Sequence, residues 1–403
     1  MSRRILIVGA GFAGVWSALG AARVLDKAGK VDGSIEIALI APDPALHLRP
    51  RFHEPAPSGM STPLLPLFEA VGVRYVQGRV ERIRAEEHSV DATGANGSRF
   101  TLPYDKLVLA SGSKLYRPEL PGLREHAHSI DQLDEASALD RHIEQLATLP
   151  ATLARNTVVV VGGGFTGIEI ATALPARLRA AWGNDAAIDV RVIEQAEHIG
   201  PDLGPGPRPV IEKALRELGV TWRVRTAVTA IDADGVWTSS GERMDAKTVI
   251  WTAGLRASSL TEQIGAERDR LGRLHVTSDL RVCGVDDIFA TGDVAFALTD
   301  DHGHHALMSC QHALTMGRFA GHNVAAALVG LPTRPYRQPQ YVTCLDLGGW
   351  GAVYTEGWDR EVKMVGSDAK ALKRMINTKV IYPPLPDRSA ALAAADPEAK
   401  LVE

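Results

Sequence analysis

Cysteine is scarce. Cys283, Cys310 and Cys344 are the only three in 403 residues, and no two are close in sequence. A sparse, odd set excludes a disulfide framework and predicts a reduced, cytoplasmic protein. A basic excess is missing too. With a net charge of −4 the chain holds no surplus to release phosphate counterions, which excludes a nucleic-acid binder. No apolar run approaches the about 18 residues that a bilayer-spanning helix needs, so membrane contact can only be peripheral. The opening Met1-Ser2-Arg3-Arg4 resembles the start of a signal peptide. However, the apolar run before Gly9 is too short for a signal core, and it reads as a first strand.

What is present is ordinary in bulk, with 45% hydrophobic and 23% charged residues. The length is enough for two or three domains. One feature is not ordinary: a glycine-rich dinucleotide fingerprint occurs twice. Gly9-Ala10-Gly11-Phe12-Ala13-Gly14 follows the apolar Ile5-Leu6-Ile7-Val8. Gly162-Gly163-Gly164-Phe165-Thr166-Gly167 follows Val158-Val159-Val160-Val161. The first glycine permits the tight turn and the second lets backbone approach a pyrophosphate. The third lets the helix pack closely on the strand, so that the helix N-terminus faces the phosphates. A single match would be weak. Two, each between a strand and a helix, imply two dinucleotide sites and electron transfer between their occupants.

The rest of the chain repeats one plan. Ile35 to Ile40 reads as a second strand, followed by a loop rich in Pro, Arg and His over about 41–66. Val73 to Val80 predicts a short strand feeding a small antiparallel sheet. Tyr104 to Ser113 reads as a strand ending in the small residues Ala110, Ser111 and Gly112. A polar helix is expected from about Ser129 to Ala147. In the second unit, Ile188 to Ile193 is a strand ending in Glu194, and Val249 to Gly254 mirrors Leu107 to Gly112. Asp287 to Ala295 then carries an apolar strand into Thr291-Gly292-Asp293, followed by a polar loop at 299–305 and a helix over about 309–328. This is an internal domain repeat, not a short-period solenoid.

Paired fingerprints, the Ala-x-Gly turns and Thr-Gly-Asp, in this order, resemble the two-dinucleotide-binding-domain FAD/NAD flavoproteins of the pyridine nucleotide-disulfide oxidoreductase superfamily. The resemblance covers about residues 4–330. It implies an α/β fold with two Rossmann-like domains, the NAD domain inserted in the FAD domain, plus a small C-terminal α+β region. The implied boundaries are 1–116 and 257–330 for the FAD domain, 117–256 for the NAD domain and 331–403 for the C-terminal region. Within the superfamily the chain is similar to type II NADH dehydrogenases, through Gly162 to Glu169, Trp251 to Ala257 and the helix opening at Ser309-Cys310-Gln311-His312-Ala313. The last 70 or so residues depart from that pattern, because the strongly apolar, aromatic helix pair that seats typical members on a membrane is not there.

The resemblance also assigns site residues. Gly9, Gly11, Phe12, Ala13 and Gly14 lie at the FAD pyrophosphate, Val80 gives a backbone contact to adenine, and Ala110 and Gly112 flank the cofactor. Asp293 bonds the ribityl chain. The helix holding Gln311 points its N-terminus at the flavin's pyrimidine edge, where its dipole stabilises negative charge. The strand-end acid that normally grips the FAD ribose is replaced by Ala41. Either Asp43 substitutes, or the ribose bonds to backbone or water. At the second site Gly162, Gly164, Phe165, Thr166, Gly167 and Gly254 surround NADH. Glu194 accepts from both ribose hydroxyls and repels a 2′-phosphate, which favours NADH over NADPH. Glu169, in the helix beneath the nicotinamide, lies near the flavin–nicotinamide contact and is the candidate catalytic residue. Its alternative reading is a first-turn acid favoured by the helix dipole.

Disulfide reductases of the superfamily carry Cys-x4-Cys after the FAD fingerprint or Cys-x-x-Cys in the NAD domain. Neither occurs here, so electron traffic through a protein disulfide is excluded. His302-Gly303-His304-His305 lies in the polar loop after Thr291-Gly292-Asp293 with no thiol beside it, and no metal is expected. In the tail, Lys370, Lys373, Arg374 and Lys379 lie on a helix whose Leu372, Met375, Ile376 and Val380 share one face. That stripe packs on its own protein, on a second copy in a homodimer, or loosely on the inner face of an anionic membrane. The expected reaction takes hydride from NADH and passes electrons to a small-molecule acceptor, a quinone by resemblance. Two rivals stand beside it: a soluble reductase serving a small iron protein, dye or oxygen, and a flavin-bound redox sensor.

Overall fold

Val, Ile and Leu runs too apolar for any exposed face build two parallel sheets. The computed structural model describes residues 3–399, so Met1, Ser2 and the end of the region reaching 403 lie outside the described residues. The first sheet contains β1 (Arg3–Val8), β2 (Ile35–Ala41), β3 (Val73–Gln77) and β4 (Lys106–Leu109). Between β1 and β2 runs α1 (Phe12–Lys27). The second sheet contains β5 (Thr157–Val161), followed by α2 (Phe165–Trp182), then β6 (Asp189–Ile193), β7 (Val220–Arg223) and β8 (Thr248–Trp251). Every residue of β5 is buried, as a strand covered on both faces requires. Its order is β7-β6-β5-β8, all parallel.

The chain then returns. β9 (Ile288–Ala290) pairs in parallel with β4, completing the first sheet in the order β9-β4-β1-β2-β3. The second sheet is therefore interleaved between strands of the first. After β9 comes α3 (Cys310–Val329), which lies against α1 through small residues. A Cβ on Gly321 would fall 2.1 Å from the Ser17 carbonyl, and one on Gly317 would fall 2.5 Å from that of Ala13. The sequence gives no sign of this close crossing, because Gly317-x-x-x-Gly321 carries no cofactor motif.

Two expected elements differ. The strand foreseen over Val73 to Val80 is two strands. β3 joins the parallel sheet, and a separate Arg79–Arg84 strand opens an antiparallel sheet. The break falls at Gly78, where a Cβ would meet the Phe100 ring at 3.0 Å. The helix expected from Ser129 begins only at Leu133. Before it, His128 bridges to Ile250 beside β8, and Asp131 accepts from the Leu115 amide at 3.0 Å, which keeps the backbone extended.

The C-terminal region is a three-stranded antiparallel sheet, β10 (Val342–Asp346), β11 (Ala352–Glu356) and β12 (Glu361–Val365), followed by α4 (Gly366–Met375) and a π-helical turn, Ile376–Val380. Of the places open to the basic stripe, the chain's own protein takes much of it. Lys373 is buried against Glu169 and Lys370 pairs with Asp346, so two of its four cations are spent inside the protein. Leu372 and Ile376 pack on the chain's own core. The last helix, α5 (Arg388–Ala394), is clamped to α1 by Arg388 to Asp26 at 2.6 Å, and just beyond it Arg23 pairs with Asp396. Among the described residues no helix is long and apolar enough to cross a membrane.

Candidate active site between two glycine loops

At the first loop the three glycines have separate physical duties. Gly9 sits at φ +110°, where a Cβ would lie 2.4 Å from the Ala110 carbonyl, and a Cβ on Gly14 would lie 1.9 Å from the Gly9 carbonyl. Gly11 has nothing within 4 Å of that position. The outer two are thus required by the strand–turn–helix packing itself, whereas the middle one keeps space open in front of the α1 N-terminus that begins with Phe12 and Ala13. A pyrophosphate needs that space, so the loop fits FAD. The second loop repeats the pattern. Gly162 (φ +107°) and Gly167 are crowded by backbone, and Gly164 faces nothing within 4 Å, ahead of Phe165 and Thr166.

Asp293 follows β9 and is brought to the same edge as Ala110 and Gly112. Its Oδ2 accepts from the Ser113 hydroxyl at 2.6 Å and lies 3.7 Å from the Arg49 guanidinium. Burial pushes the carboxyl above its ordinary range, more than Arg49 and Ser113 pull it down. Arg49 is itself held by Asp131. Neither Arg49 nor Ser113 nor Asp131 was foreseen. Arg49 lies in the loop whose Arg and His content stood out, but without a motif to read. Ser309 caps α3 by accepting from the His312 amide at 3.4 Å, and Gln311 is in the first turn. His312 is fully buried, and burial pushes its ring down to about 3.

Asp43 lies beyond the end of β2, exposed and bonded to His47 at 2.8 Å. Val80 follows Gly78, whose amide donates to the Ala41 carbonyl at the end of β2. Glu194 is buried at the tip of β6. Its Oε2 accepts from the Gly163 amide at 2.6 Å and its Oε1 from the Ala196 amide at 2.7 Å. A carboxylate has about four acceptor positions, so both oxygens keep lone pairs for ribose hydroxyls. Gly254, at φ +82°, ends the strand-turn after β8 with its carbonyl accepting from the Tyr116 amide.

Glu169 is not a solvated first-turn acid. It is 5% exposed, and its Oε1 accepts from Lys373 Nζ at 2.8 Å and from the Asp346 amide at 3.0 Å. Burial would lower the Lys373 ammonium, but the Glu169 charge outweighs it and the group stays raised. The Lys373 Nζ also lies 5.6 Å from the centre of the Phe165 ring, beside the second glycine loop. On the other side Cys310, at the start of α3, feels the charges of Lys373, Asp293 and Glu169, and burial pushes its thiol up to about 11. Cys344 is likewise pushed up to about 11 by burial, so both thiols stay protonated near neutrality. The histidine loop is occupied internally. His304 pairs with Asp300 at 2.6 Å and stacks on Trp358, and His305 stacks on Phe296.

Two parallel sheets, each carrying a glycine loop that opens a helix, define an oxidoreductase with two dinucleotide sites. The chain belongs to the pyridine nucleotide-disulphide oxidoreductase family, whose model matches residues 3–317. It is 47% identical over 398 residues to an NADH dehydrogenase-like protein of Mycobacterium tuberculosis, covering 98% of each chain. It is 28% identical to the type II NADH:quinone oxidoreductase of Staphylococcus epidermidis, over 94% of this chain and 95% of that one. It is also 28% identical to demethylphylloquinone reductase NdbB of Synechocystis, over 93% and 91%. The NDH2 structure from Plasmodium falciparum with NADH superposes with a TM-score of 0.79 over 98% of both chains at 14% identity, which supports the fold.

Proposed function

We propose that the protein transfers electrons from NADH to a quinone. The chain is an FAD-dependent NADH dehydrogenase, and the acceptor is the step that goes beyond this. FAD, when bound, supplies the chemistry, taking hydride from the nicotinamide and handing electrons on. The chain's own residues bind, orient and exclude water. In this reading residues 1–116 and 257–330 form the FAD domain, 117–256 the NAD domain, and 331–403 closes the acceptor side. Gly9, Gly11 and Gly14 hold the FAD pyrophosphate and Asp293 its ribityl chain, with Val80, Ala110, Gly112 and Gln311 around it. Gly162, Gly164 and Gly167 hold that of NADH, beside Gly254, and Glu194 its ribose. The observation that supports the proposal is Glu169, buried on the helix that opens at the second glycine loop and ion-paired with Lys373, whose ammonium lies 5.6 Å from the Phe165 ring. The quinone rests on the named activities of the Staphylococcus and Synechocystis relatives. Steady-state NADH oxidation against a panel of quinones, ferricyanide, a small iron protein and oxygen tests it. A quinone should give the highest kcat/KM, and turnover with every acceptor except quinones would contradict the reading.

Nucleotide choice follows from Glu194. Wild type should prefer NADH to NADPH, and Glu194→Gln should narrow the preference by removing repulsion of the 2′-phosphate. Loss of charge-assisted ribose bonds should weaken NADH by about 1.5–3 kcal/mol, read as the change in kcat/KM. Equal use of both nucleotides by wild type would show that Glu194 does not face the ribose.

Membrane seating should be weak, since Lys370 and Lys373 are engaged internally and only Arg374 and Lys379 of the stripe remain exposed. At about 1 kcal/mol per basic residue near an anionic surface, two cations hold a protein loosely, and roughly 1 M salt shrinks the screening length to about 3 Å. The protein is expected to remain mostly in the supernatant with anionic vesicles, any bound fraction being released by high salt. Salt-resistant pelleting would reveal a hydrophobic anchor instead.

A further inference from the structure

Next to the Glu169–Lys373 pair lies a histidine that the proposed reaction has not used. His53 is 3% exposed, in the loop after β2. Its two ring nitrogens face two different carboxylates: Nδ1 is 3.5 Å from Glu169 Oε2, and Nε2 is 3.6 Å from Asp346 Oδ2. Both gaps are slightly longer than a hydrogen bond, and Nε2 is buried without a partner. Asp346 is in turn paired with Lys370, whose side chain is 22% exposed and reaches solvent. Burial alone would raise the Asp346 carboxyl. The neighbouring His53 ring and Lys370 ammonium outweigh it and hold the group well below the usual carboxylate range.

Charge around the ring is nearly balanced from every side. α2 contributes Glu169, and also Arg177, which donates to the His53 carbonyl and pairs with Asp140. β10 contributes Asp346, and α4 contributes Lys370 and Lys373. The ring's own loop contributes the Arg51–Glu54 pair, which Asn377 braces by donating to Glu54 at 2.7 Å. Each of these charges has an opposite partner. An imidazole can take a proton on one ring nitrogen and release another from its second, which is the property a relay needs.

We propose that His53 is a proton relay, drawing from solvent through Lys370 and Asp346 and delivering to Glu169. This rests on the NADH-to-quinone reading and deepens it. A quinone becomes a quinol by gaining one hydride equivalent and one proton. NADH brings the hydride, so the proton has to come from solvent. The ring takes it on Nε2 from the Asp346 side and releases the other from Nδ1 to Glu169, which passes it to the quinone and returns to the carboxylate paired with Lys373. Negative charge arriving on the reduced cofactor favours loading of the ring, so cofactor reduction and proton uptake are coupled.

The test uses the FAD-loaded full chain in weak buffer with a pH indicator near pH 7. The flavin is reduced with light and a sacrificial donor, and proton uptake per flavin is compared between wild type and His53→Gln. Wild type should take up more, by a difference approaching about one proton, while NADH bleaches the flavin at a similar rate in both. Equal uptake in two proteins that both bind FAD and are both bleached by NADH overturns the relay and leaves the dehydrogenase reading standing. Wild-type protein that takes up no FAD overturns both. If His53→Gln does not fold, Lys370→Met keeps the histidine and removes its outlet. Proton uptake by that variant should reach the wild-type extent several-fold more slowly, and an unchanged rate overturns the relay.

Discussion

Lys373→Met is expected to lower unfolding free energy by about 3–5 kcal/mol, because it leaves the Glu169 carboxylate buried without its cation. Both side chains are 6% exposed, so water cannot replace the lost partner. A methionine fills most of the volume, which separates the charge effect from a cavity effect. The double variant Glu169→Gln/Lys373→Met should recover much of the loss, since a neutral pair removes the uncompensated charge. Lys379→Met, on the exposed side of the same segment, should change stability by no more than about 0.5 kcal/mol. Urea unfolding of the four proteins checks this. Equal, small effects at 373 and 379 would mean that Lys373 is solvated and that the buried junction does not exist in solution.

The second large effect is a contrast within one loop. Gly14→Ala places a Cβ 1.9 Å from the Gly9 carbonyl, in the turn between β1 and α1, so backbone has to move. Overpacking of this kind costs about 1–3 kcal/mol and often more. The variant should melt lower even without cofactor and should purify colourless. Gly11→Ala meets nothing within 4 Å and should leave the melting of the cofactor-free protein unchanged. Its methyl occupies space that a pyrophosphate needs, so FAD affinity should fall at least tenfold. Fluorescence titration of the apoproteins with FAD, beside thermal melts, separates the two. If Gly11→Ala binds FAD as wild type does, the open space ahead of α1 is not the phosphate site.

These two results also mark how far the sequence could be read. The glycine loops, and the strand ends that carry Asp293 and Glu194, were legible because their setting is local: a strand, a turn and a helix in succession leave a fixed spacing. The basic stripe on α4 was legible as a helix face but not in its use. From sequence, charged residues at helical spacing look solvated. Lys373 is buried only because Glu169, on a helix in the other sheet's layer, is brought against it. The same applies to Asp346 and His53, which come from β10 and from the loop after β2 and meet only through tertiary folding. The loop over 41–66 showed an unusual run of Arg and His, but no periodicity says which of them turn inward. Arg49 reaches Asp131 and Ser113, and His53 the junction, whereas His47 stays at the surface with Asp43. Motif chemistry is visible in a sequence when its partners are neighbours. Ion pairs between distant segments are visible only once packing brings them together.

Mixing the purified, FAD-loaded protein with NADH in the absence of oxygen tests the central claim most directly. The yellow absorbance should bleach within the mixing experiment, with NADH far more effective than NADPH, and return when a short-chain quinone is added, at one quinol per flavin. Protein that carries no FAD after reconstitution, or flavin that stays oxidised under excess NADH, would contradict the account.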